Sequence, residues 1–204
     1  MELIVILKVI GLILVAYLSG AIPFGLVLTK CFTTIDIRKQ GSGNIGATNV
    51  RRMAGNFLGA VTLSGDLLKG ALPVLLALNV LPEALPGREV YTALVALAAF
   101  CGHLYPIYLG FKDGGKGVAT AAGCFVVLSP WAALVALLVF ILGLCWYNRV
   151  SVASLAAAAV LPLAVWKATG VPSTTGITAL ITALIVYRHK ENIKRLISGQ
   201  EPEL

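Results

Sequence analysis

Charged residues are scarce in this sequence, and their scarcity excludes a water-soluble globule. Only 12% of the 204 residues are Asp, Glu, Lys or Arg, whereas 58% are hydrophobic, and the mean hydropathy is +0.91. Soluble domains carry about 25% charged residues, so this chain has too little charge to cover a surface in water. We therefore predict an integral membrane protein, with lipid as the solvent for most of the chain.

Paired cysteines, clustered acids and internal repeats are also lacking. The four cysteines show no C-x-x-C spacing, so neither a zinc site nor a disulfide framework is predicted. The nine acidic residues form no carboxylate cluster suited to a pair of metal ions. No second glycine-rich loop follows the fourth or fifth apolar segment, which weighs against transporters built from inverted repeats.

Seven apolar segments dominate what is present. A spanning helix needs about 20 mostly apolar residues, and such segments lie near 3–28, 53–81, 90–110, 117–129, 131–147, 151–167 and 173–188. They predict an all-α bundle of about seven transmembrane helices in a single domain over residues 1–204. Lys8 interrupts the first segment and no A-x-A cleavage site follows, which favours a retained span over a signal peptide.

Lys and Arg are distributed unevenly between the predicted loops. With seven spans, twelve of the 16 Lys and Arg residues fall on one side and only Arg88 and Lys167 on the other. Cytoplasmic loops carry the excess of positive charge in membrane proteins. We therefore predict that the N-terminus faces out and the C-terminus faces in. The net charge of +7 favours anionic lipids or anionic substrates over nucleic acid as partners.

The predicted cytoplasmic side carries two glycine-rich loops. The first reads Gly41-Ser42-Gly43-Asn44-Ile45-Gly46-Ala47-Thr48-Asn49, and the second spans residues 110–117 and contains Lys116. The first matches G-x-G-x-x-G, but a membrane segment precedes it where a dinucleotide fold needs a strand. Neither loop completes the ATP-binding pattern G-x-x-x-x-G-K-[ST]. The first loop has Ala47 at the position of the phosphate-binding lysine, and the second has Gly117 at the position of the Ser or Thr hydroxyl. Backbone N–H groups in such loops bind phosphate; the alternative is a pair of flexible, positively charged turns.

Three further groups of residues are candidates. His189 and Asn192 share a face if the basic stretch 187–195 is helical, although this stretch alone would also suit binding to anionic lipid. Asp66 and Lys69 can pair within the second segment, either for function or for packing. His103 is expected to make a structural hydrogen bond at the end of the third segment.

Three stretches, in order, resemble the bacterial acyl-phosphate:glycerol-3-phosphate acyltransferases, the PlsY family. They are Ser42 to Asn49, Gly102-His103 together with Phe111 to Thr120, and Arg188 to Ile193. Asp66-Leu67-Leu68-Lys69-Gly70 is similar to that family's second span, and the likeness covers nearly the whole chain. One departure is Asp113, an acid inserted where the family usually reads F-K-G-G-K-G.

The resemblance implies an enzyme that transfers a fatty acyl group from acyl phosphate to the 1-hydroxyl of glycerol 3-phosphate. The products would be lysophosphatidic acid and phosphate for phospholipid synthesis, with no cofactor, no metal and no acyl-CoA. It also implies a multi-pass protein of the bacterial cytoplasmic (inner) membrane with its active site on the cytoplasmic side. Membrane lipids and the soluble enzyme that makes acyl phosphate are the further partners expected.

The resemblance implies residue roles by motif position. It implies catalytic roles for Lys116, His189 and Asn192. It implies substrate binding by Ser42, Gly43, Asn44, Gly46, Thr48, Asn49, Arg52, Asp66, Lys69, Gly115 and Ser154. Of these residues, Ser42, Thr48, Asn49 and Arg52 are expected around the acyl-phosphate headgroup. Lys116, Ser154, His189 and Asn192 are expected around glycerol 3-phosphate.

Two alternatives concern the class of function and the proton acceptor. Composition alone also allows a transporter or flippase for a phosphorylated solute, although the outward loops hold no comparable polar residues.

For an enzyme, cations beside His189 favour its neutral form, and Lys69 lowers the basicity of Asp66. A phosphate monoester has a second pKa of about 6, so a substrate phosphate is expected to accept the proton while His189 binds and positions. No H-x-x-x-x-D dyad for acyl-CoA chemistry occurs.

Overall fold

The computed structural model describes residues 2–204, which fold into ten α-helices without a β-strand. Two short 3₁₀ turns, Ile37–Lys39 and Ile107–Leu109, precede the glycine loops. The helices are α1 Glu2–Gly20, α2 Phe24–Phe32, α3 Ala47–Ala54, α4 Asn56–Val80, α5 Arg88–Leu104, α6 Val118–Leu128, α7 Pro130–Tyr147, α8 Val150–Thr169, α9 Pro172–Arg188 and α10 Lys190–Ile197. The all-α prediction is confirmed.

Five helical stretches are long and apolar enough to cross a membrane. They are Leu3–Phe32, Asn56–Val80, Arg88–Leu109, Pro130–Tyr147 and Val150–Thr169. The sixth and seventh predicted spans correspond to α8 and α9, and the fourth to α6, a shorter apolar helix of 11 residues. Each predicted segment is helical, while the number of spans and their orientation stay predictions.

The first two predicted spans differ from the observed helices because each contains a break. α1 ends at Gly20 and α2 begins only at Phe24, since Pro23 has no N–H to donate to a continuous helix. Gly55, with a φ of +91°, separates α3 from α4. The short helices α2 and α3 therefore flank the first glycine loop.

The chain folds as two compact units, one ending at Val127 and the other comprising Leu128–Leu204. In unit 1, α1 packs closely on α5, because a side chain on Gly20 would collide with the Ala99 carbonyl. Small residues allow such close approach between membrane helices. In unit 2, Gly143 of α7 lies against Ala153 of α8, and the Thr182 hydroxyl of α9 donates to the Ala158 carbonyl at 2.9 Å. The single-domain assignment stays a prediction.

Candidate active site

The first glycine loop of unit 1 is shaped by the side chain of Asn49. Its Oδ1 accepts from the Ser42 N–H at 2.9 Å, and its Nδ2 donates to the carbonyls of Gln40 at 3.0 Å and Asn44 at 2.9 Å. A longer contact of 3.3 Å joins Nδ2 to the Ile37 carbonyl. Asn49 is 3% exposed. Its amide therefore holds the loop from inside, in addition to whatever it does for a ligand.

The loop rests on a small apolar cluster contributed by every neighbouring element. The cluster consists of Leu26, Ile37, Ile45, Val50 and Leu58, all buried. α2 comes so close that a side chain on Gly25 would collide with the Ile45 carbonyl. Gly43 turns the chain with a φ of +69°, a left-handed conformation that glycine adopts readily. The loop is thus a packed structure rather than a flexible turn.

The polar side of this loop faces the start of α3. Ser42 is exposed, Thr48 and Arg52 are half-buried, and Thr48 lies in the first turn of α3. The first turn of a helix leaves backbone N–H groups without partners inside the helix, and its dipole favours an anion. Asn44 helps to form this turn, because its Oδ1 accepts from the Gly46 N–H at 2.9 Å. These residues can bind a phosphate together.

The second glycine loop packs on the end of α5. The Gly115 N–H donates to the His103 carbonyl at 3.1 Å, and a side chain on Gly115 would collide with Nε2 of the His103 ring. A side chain on Gly114 would collide with the Leu104 carbonyl. Gly114 and Gly115 are buried, and half-buried Lys116 follows them immediately before α6. Glycine is therefore required here for close packing, which fixes the backbone that carries Lys116.

An ionic bridge joins the two loops at one end of unit 1. Arg38 donates to both carboxylate oxygens of Asp36, from Nε at 3.0 Å and from Nη2 at 2.8 Å. This hydrogen bonding to Arg38 lowers the pKa of Asp36 to about 2. The Nη1 atom of Arg38 lies 3.7 Å from Oδ2 of the inserted Asp113, which has a φ of +55°. The additional acid of the second loop therefore faces a cation of the first.

Asp66 and Lys69 pair inside unit 1, below the glycine loops. The Lys69 Nζ lies 2.8 Å from Oδ1 of Asp66, and both residues are at most 3% exposed. Nδ1 of His103 lies 3.6 Å from the same oxygen. This arrangement brings the expected structural His103 together with the Asp66–Lys69 pair. Their burial favours a role in shaping the site over direct contact with a substrate.

In unit 2, the predicted polar residues collect at one end of the helices. Ser151 and Ser154 lie in the first turns of α8 and are buried, 5% and 3% exposed. Asn148, with a φ of +52°, ends α7 and turns the chain toward them. A helix start with hydroxyl side chains is suited to an anionic or hydroxylated ligand.

His189 sits at the junction of α9 and α10, where its ring is 2% exposed. Nδ1 lies 2.8 Å from the Ile185 carbonyl. Since a carbonyl oxygen only accepts, Nδ1 carries the proton, and Nε2 of a neutral ring has a lone pair. Asn192 is on the following turn, and its side chain is also buried. The basic stretch 187–195 is divided between the end of α9 and the start of α10, with His189 between them.

Glu201 is a site residue that the sequence did not indicate. Its carboxylate accepts from Asn192 Nδ2 at 2.6 Å and from Arg195 Nε at 2.8 Å, and its carbonyl accepts from Arg149 Nε at 3.0 Å. Burial alone would raise the pKa of Glu201, but hydrogen bonds from the Asn192 and Arg195 side chains, together with the nearby Ser151 hydroxyl, outweigh it and lower the pKa. The signal in the sequence is Gly199 after a basic helix, because a glycine there allows the chain to reverse. In the structure Gly199 has a φ of +70° and the chain does reverse at this point.

The predicted site residues thus form a group in each unit. Unit 1 brings together the first loop and the Gly115–Lys116 loop, above the buried Asp66–Lys69 pair. Unit 2 brings together Ser151, Asn192 and Glu201, with His189 one helical turn before Asn192. Among residues 2–204, no three His, Cys, Asp or Glu side chains are placed to hold a metal ion. A groove of about 500 Å³ lies elsewhere, among Trp131, Leu163 and Lys167 near the far end of α8.

Comparisons with known proteins show the family to which this fold belongs. The family model described as glycerol-3-phosphate acyltransferase matches residues 10–199. A glycerol-3-phosphate acyltransferase of Syntrophotalea carbinolica is 50% identical over 190 residues, which are 93% of this chain and 94% of that protein. A glycerol-3-phosphate acyltransferase of an Anaeromyxobacter strain is 49% identical and covers 96% of this chain and 97% of its own length.

A solved structure shares the fold. It is the crystal structure of PlsY, an integral membrane glycerol 3-phosphate acyltransferase, in its glycerol 3-phosphate form. It superposes with a TM-score of 0.89 at 39% identity, covering 97% of this chain and 96% of its own. The prediction of an integral membrane protein is thereby confirmed.

Proposed function

Because this chain belongs to the glycerol-3-phosphate acyltransferase family, we propose that it transfers a fatty acyl group from acyl phosphate to the 1-hydroxyl of glycerol 3-phosphate. The products are lysophosphatidic acid and inorganic phosphate, which feed phospholipid synthesis. One observation carries the proposal: two packed glycine loops, one with Arg52 beside it and one with Lys116, lie at the same end of unit 1. Both substrates present a phosphate, and one also has an apolar tail suited to a membrane protein.

The reaction needs little covalent chemistry from the protein. The glycerol oxygen attacks the acyl carbonyl, and the bond from the acyl carbon to the phosphate oxygen then breaks, so that phosphate leaves with the electron pair. Backbone N–H groups and cations that orient the phosphates and stabilise the oxyanion would supply most of the rate enhancement. The abundance of donors and cations in the two loops supports this reading. No cofactor or metal is proposed.

The residue roles remain proposals, taken unit by unit. In unit 1, the acyl-phosphate headgroup is assigned to Ser42, Gly43, Asn44, Gly46, Thr48, Asn49 and Arg52, with Asn49 also holding the loop. Gly115 and Lys116 are assigned to glycerol 3-phosphate. In unit 2, Ser154, His189 and Asn192 are assigned to glycerol 3-phosphate as well, with Glu201 fixing the Asn192 amide at 2.6 Å.

His189 is assigned a positioning role toward the attacking hydroxyl. The hydrogen bond from Nδ1 to the Ile185 carbonyl fixes the orientation of the ring, whose Nε2 edge then holds glycerol 3-phosphate in place without taking the proton of the attacking hydroxyl. The proton itself passes to a substrate phosphate, whose second pKa of about 6 suits it to accept near neutral pH. Every turnover brings that acceptor to the site, so no protein base has to be regenerated.

The location follows from the same proposal. The enzyme is a multi-pass protein of the bacterial cytoplasmic membrane, with the glycine loops on the cytoplasmic side and both units serving one acyltransferase domain. A site on the cytoplasmic side is accessible to soluble glycerol 3-phosphate and to the soluble enzyme that makes acyl phosphate. Lipid surrounds the exposed apolar helices, and nucleic acid is not a partner.

The decisive experiment compares two acyl donors with purified protein in detergent. Palmitoyl phosphate and glycerol 3-phosphate should yield lysophosphatidic acid and phosphate in equal amounts. Palmitoyl-CoA should give no product above background. Comparable initial rates with both donors would refute the donor assignment, and the absence of product from palmitoyl phosphate would refute the proposed activity.

Matched variants test the cations. Lys116→Ala and Arg52→Ala should each lower activity about 10- to 100-fold, since a hydrogen bond to a charged group contributes about 1.5–3 kcal/mol. Lys112→Ala and Lys39→Ala remove exposed cations of the same two segments and should leave turnover close to wild type. Equal losses in all four variants would mean that only the overall positive potential matters.

A further inference from the structure

A line of buried polar contacts crosses unit 1 beneath the glycine loops. It begins at the Ile22 carbonyl, which accepts from Lys69 Nζ at 2.8 Å, and continues to Asp66 at 2.8 Å. The Asp66 carboxylate then faces Nδ1 of His103 at 3.6 Å, an electrostatic contact that is longer than a hydrogen bond. Asp66, Lys69 and His103 are 2–4% exposed, so water does not substitute for these contacts. Polar groups thereby join α4 to α5 and to the link between α1 and α2.

One end of this line reaches the second glycine loop directly. The ring of His103 fills the space in which a side chain of Gly115 would stand, and its carbonyl accepts from the Gly115 N–H at 3.1 Å. Lys116 is the next residue. A rotation of the His103 ring would therefore push against the backbone that carries Lys116, and Asp66 is the group that faces the ring's other nitrogen.

The other end of the line reaches the helix that leads to the first loop. Lys69 bonds to Ile22, directly before Pro23, and its Nζ lies 5.8 Å from the ring centroid of Phe24 at the start of α2. The Phe24 ring packs on α4 where a side chain on Gly65 would stand. Because α2 in turn packs on Ile45 of the first loop, the pair on α4 contacts the supports of both loops.

We propose that Asp66 is a positioning residue, which orients His103 against Gly115 and so sets Lys116 for glycerol 3-phosphate. The expected change in KM rests on the proposed function, whereas the expected change in the position of the second loop does not. Asp66 has a second role as the partner of Lys69, and a buried ion pair by itself adds little to stability. An experiment must therefore remove the pair in two ways, with and without an acceptor for His103.

Two double variants do this. Asp66→Asn with Lys69→Met removes both charges but keeps a side-chain oxygen, a potential acceptor, facing Nδ1 of His103. Asp66→Leu with Lys69→Met removes both charges and the acceptor. Glu89→Gln, an exposed change at the far end of α5, is the control for the loss of an acid.

Loop position is read by hydrogen exchange in detergent, followed by mass spectrometry of segment 110–117. The variant without an acceptor should exchange at least several-fold faster in this segment than the Asn-containing variant, with exchange in α4 unchanged. It should also raise the KM for glycerol 3-phosphate by about 10- to 100-fold, since a shift of about 1 Å can cost 100-fold. The KM for palmitoyl phosphate should differ little between the two double variants, because both lack Lys69.

The outcomes separate the two proposals. If the two double variants show the same exchange and the same KM, Asp66 serves only to neutralise Lys69 and the inference falls. If the wild-type protein transfers no acyl group, the proposed function falls, and exchange in segment 110–117 still decides the positioning role. Should the acceptor-free variant not fold, His103→Leu keeps the ion pair intact and must give the same faster exchange. Unchanged exchange in that variant overturns the inference.

Discussion

Asn49 shows how one side chain can replace regular backbone pairing in a loop. Its amide engages one N–H and three carbonyls of residues 37–44, although the loop has no strand or helix to pair with. An amide is suited to this because it both donates and accepts, whereas a carboxylate at neutral pH only accepts.

Asn49→Asp is therefore expected to remove most activity and to lower thermal stability. The new carboxylate would face three carbonyl oxygens without a donor, and a buried polar group left unsatisfied costs about 1–3 kcal/mol. Activity and the unfolding midpoint in detergent are the measurements. Asn56→Asp, an exposed position at the start of α4, is the control and should leave both unchanged. A stable, active Asn49→Asp protein would show that the loop is held by other contacts.

His189 gives a second prediction at this scale. His189→Gln should retain far more activity than His189→Ala, because glutamine keeps a polar group near Nε2 but cannot take a proton near neutral pH. Initial rates at saturating and limiting glycerol 3-phosphate separate turnover from binding. If both variants are equally inactive while glycerol 3-phosphate still binds normally, histidine is the base and the substrate phosphate is not the acceptor.

The sequence indicated residues by chemistry, but it did not indicate what each one contacts. Glycine spacing predicted both loops, and the i, i+3 spacing predicted the Asp66–Lys69 pair, which is confirmed at 2.8 Å. The dual position of Asn49, inside the loop, and the contact of His103 with Gly115 depend on how α2 and α5 pack. No local pattern in the sequence carries that information.

At the scale of elements, the C-terminal segment 200–204 straps the end of α10 to the α7–α8 turn. Glu201 binds Asn192, Arg195 and Arg149, and the Leu204 N–H donates to the Asn148 carbonyl at 2.9 Å. The strap thus fixes the side-chain amide of Asn192, a proposed catalytic group, through a residue that lies outside α10. The sequence does not indicate this strap, because a glycine after a helix marks a reversal of the chain without indicating what the following residues contact.

Glu201→Gln should loosen this strap and reduce both stability and activity at pH 7. The folded-state pKa of Glu201 is lowered by its partners, so its stabilising effect is present above the ordinary pKa of glutamate and is lost as the pH falls through the lowered value. Wild type should therefore lose more stability on acidification below roughly pH 4 than the variant does. Thermal midpoints across a pH series measure this.

Glu203→Gln is the matched change, because Glu203 is exposed and its oxygen lies 3.5 Å from Arg149. Such surface pairs contribute about 0–1 kcal/mol, so stability should hardly change. If Glu201→Gln behaves like Glu203→Gln at every pH, the strap does not hold Asn192.

Helix breaks were predicted less well than helices, for a physical reason. Hydropathy marks where lipid-facing residues begin, and it located all seven apolar segments. It does not mark where a helix must stop to let a loop pack, as at Gly55 between α3 and α4. As a result, most of α2 was assigned to the first predicted span, and most of α3 was not predicted as a helix. Both helices position the first loop.

At the scale of the whole molecule, the distribution of Lys and Arg predicts sidedness. Lys112 lies in the second glycine loop and Glu83 in the loop between α4 and α5, and both are exposed. In a protein whose native cysteines are replaced, Glu83→Cys should react with a membrane-impermeant maleimide in intact spheroplasts. Lys112→Cys should react only after lysis. The reverse pattern would place the loops outside and contradict the proposed cytoplasmic site.

The apolar cluster beneath the first loop also bears on how the protein must be handled. Leu26, Ile37, Ile45, Val50 and Leu58 lie where the helices give way to the polar loop, so this cluster is the part of the core that supports the loop. A short-chain detergent that enters such a cluster would displace Ile45 and deform the loop, while the long helices keep their hydrogen bonds. Purification in harsh detergent should therefore yield protein with a full helical circular dichroism spectrum and little activity, and exchange into a long-chain detergent or nanodiscs should restore it.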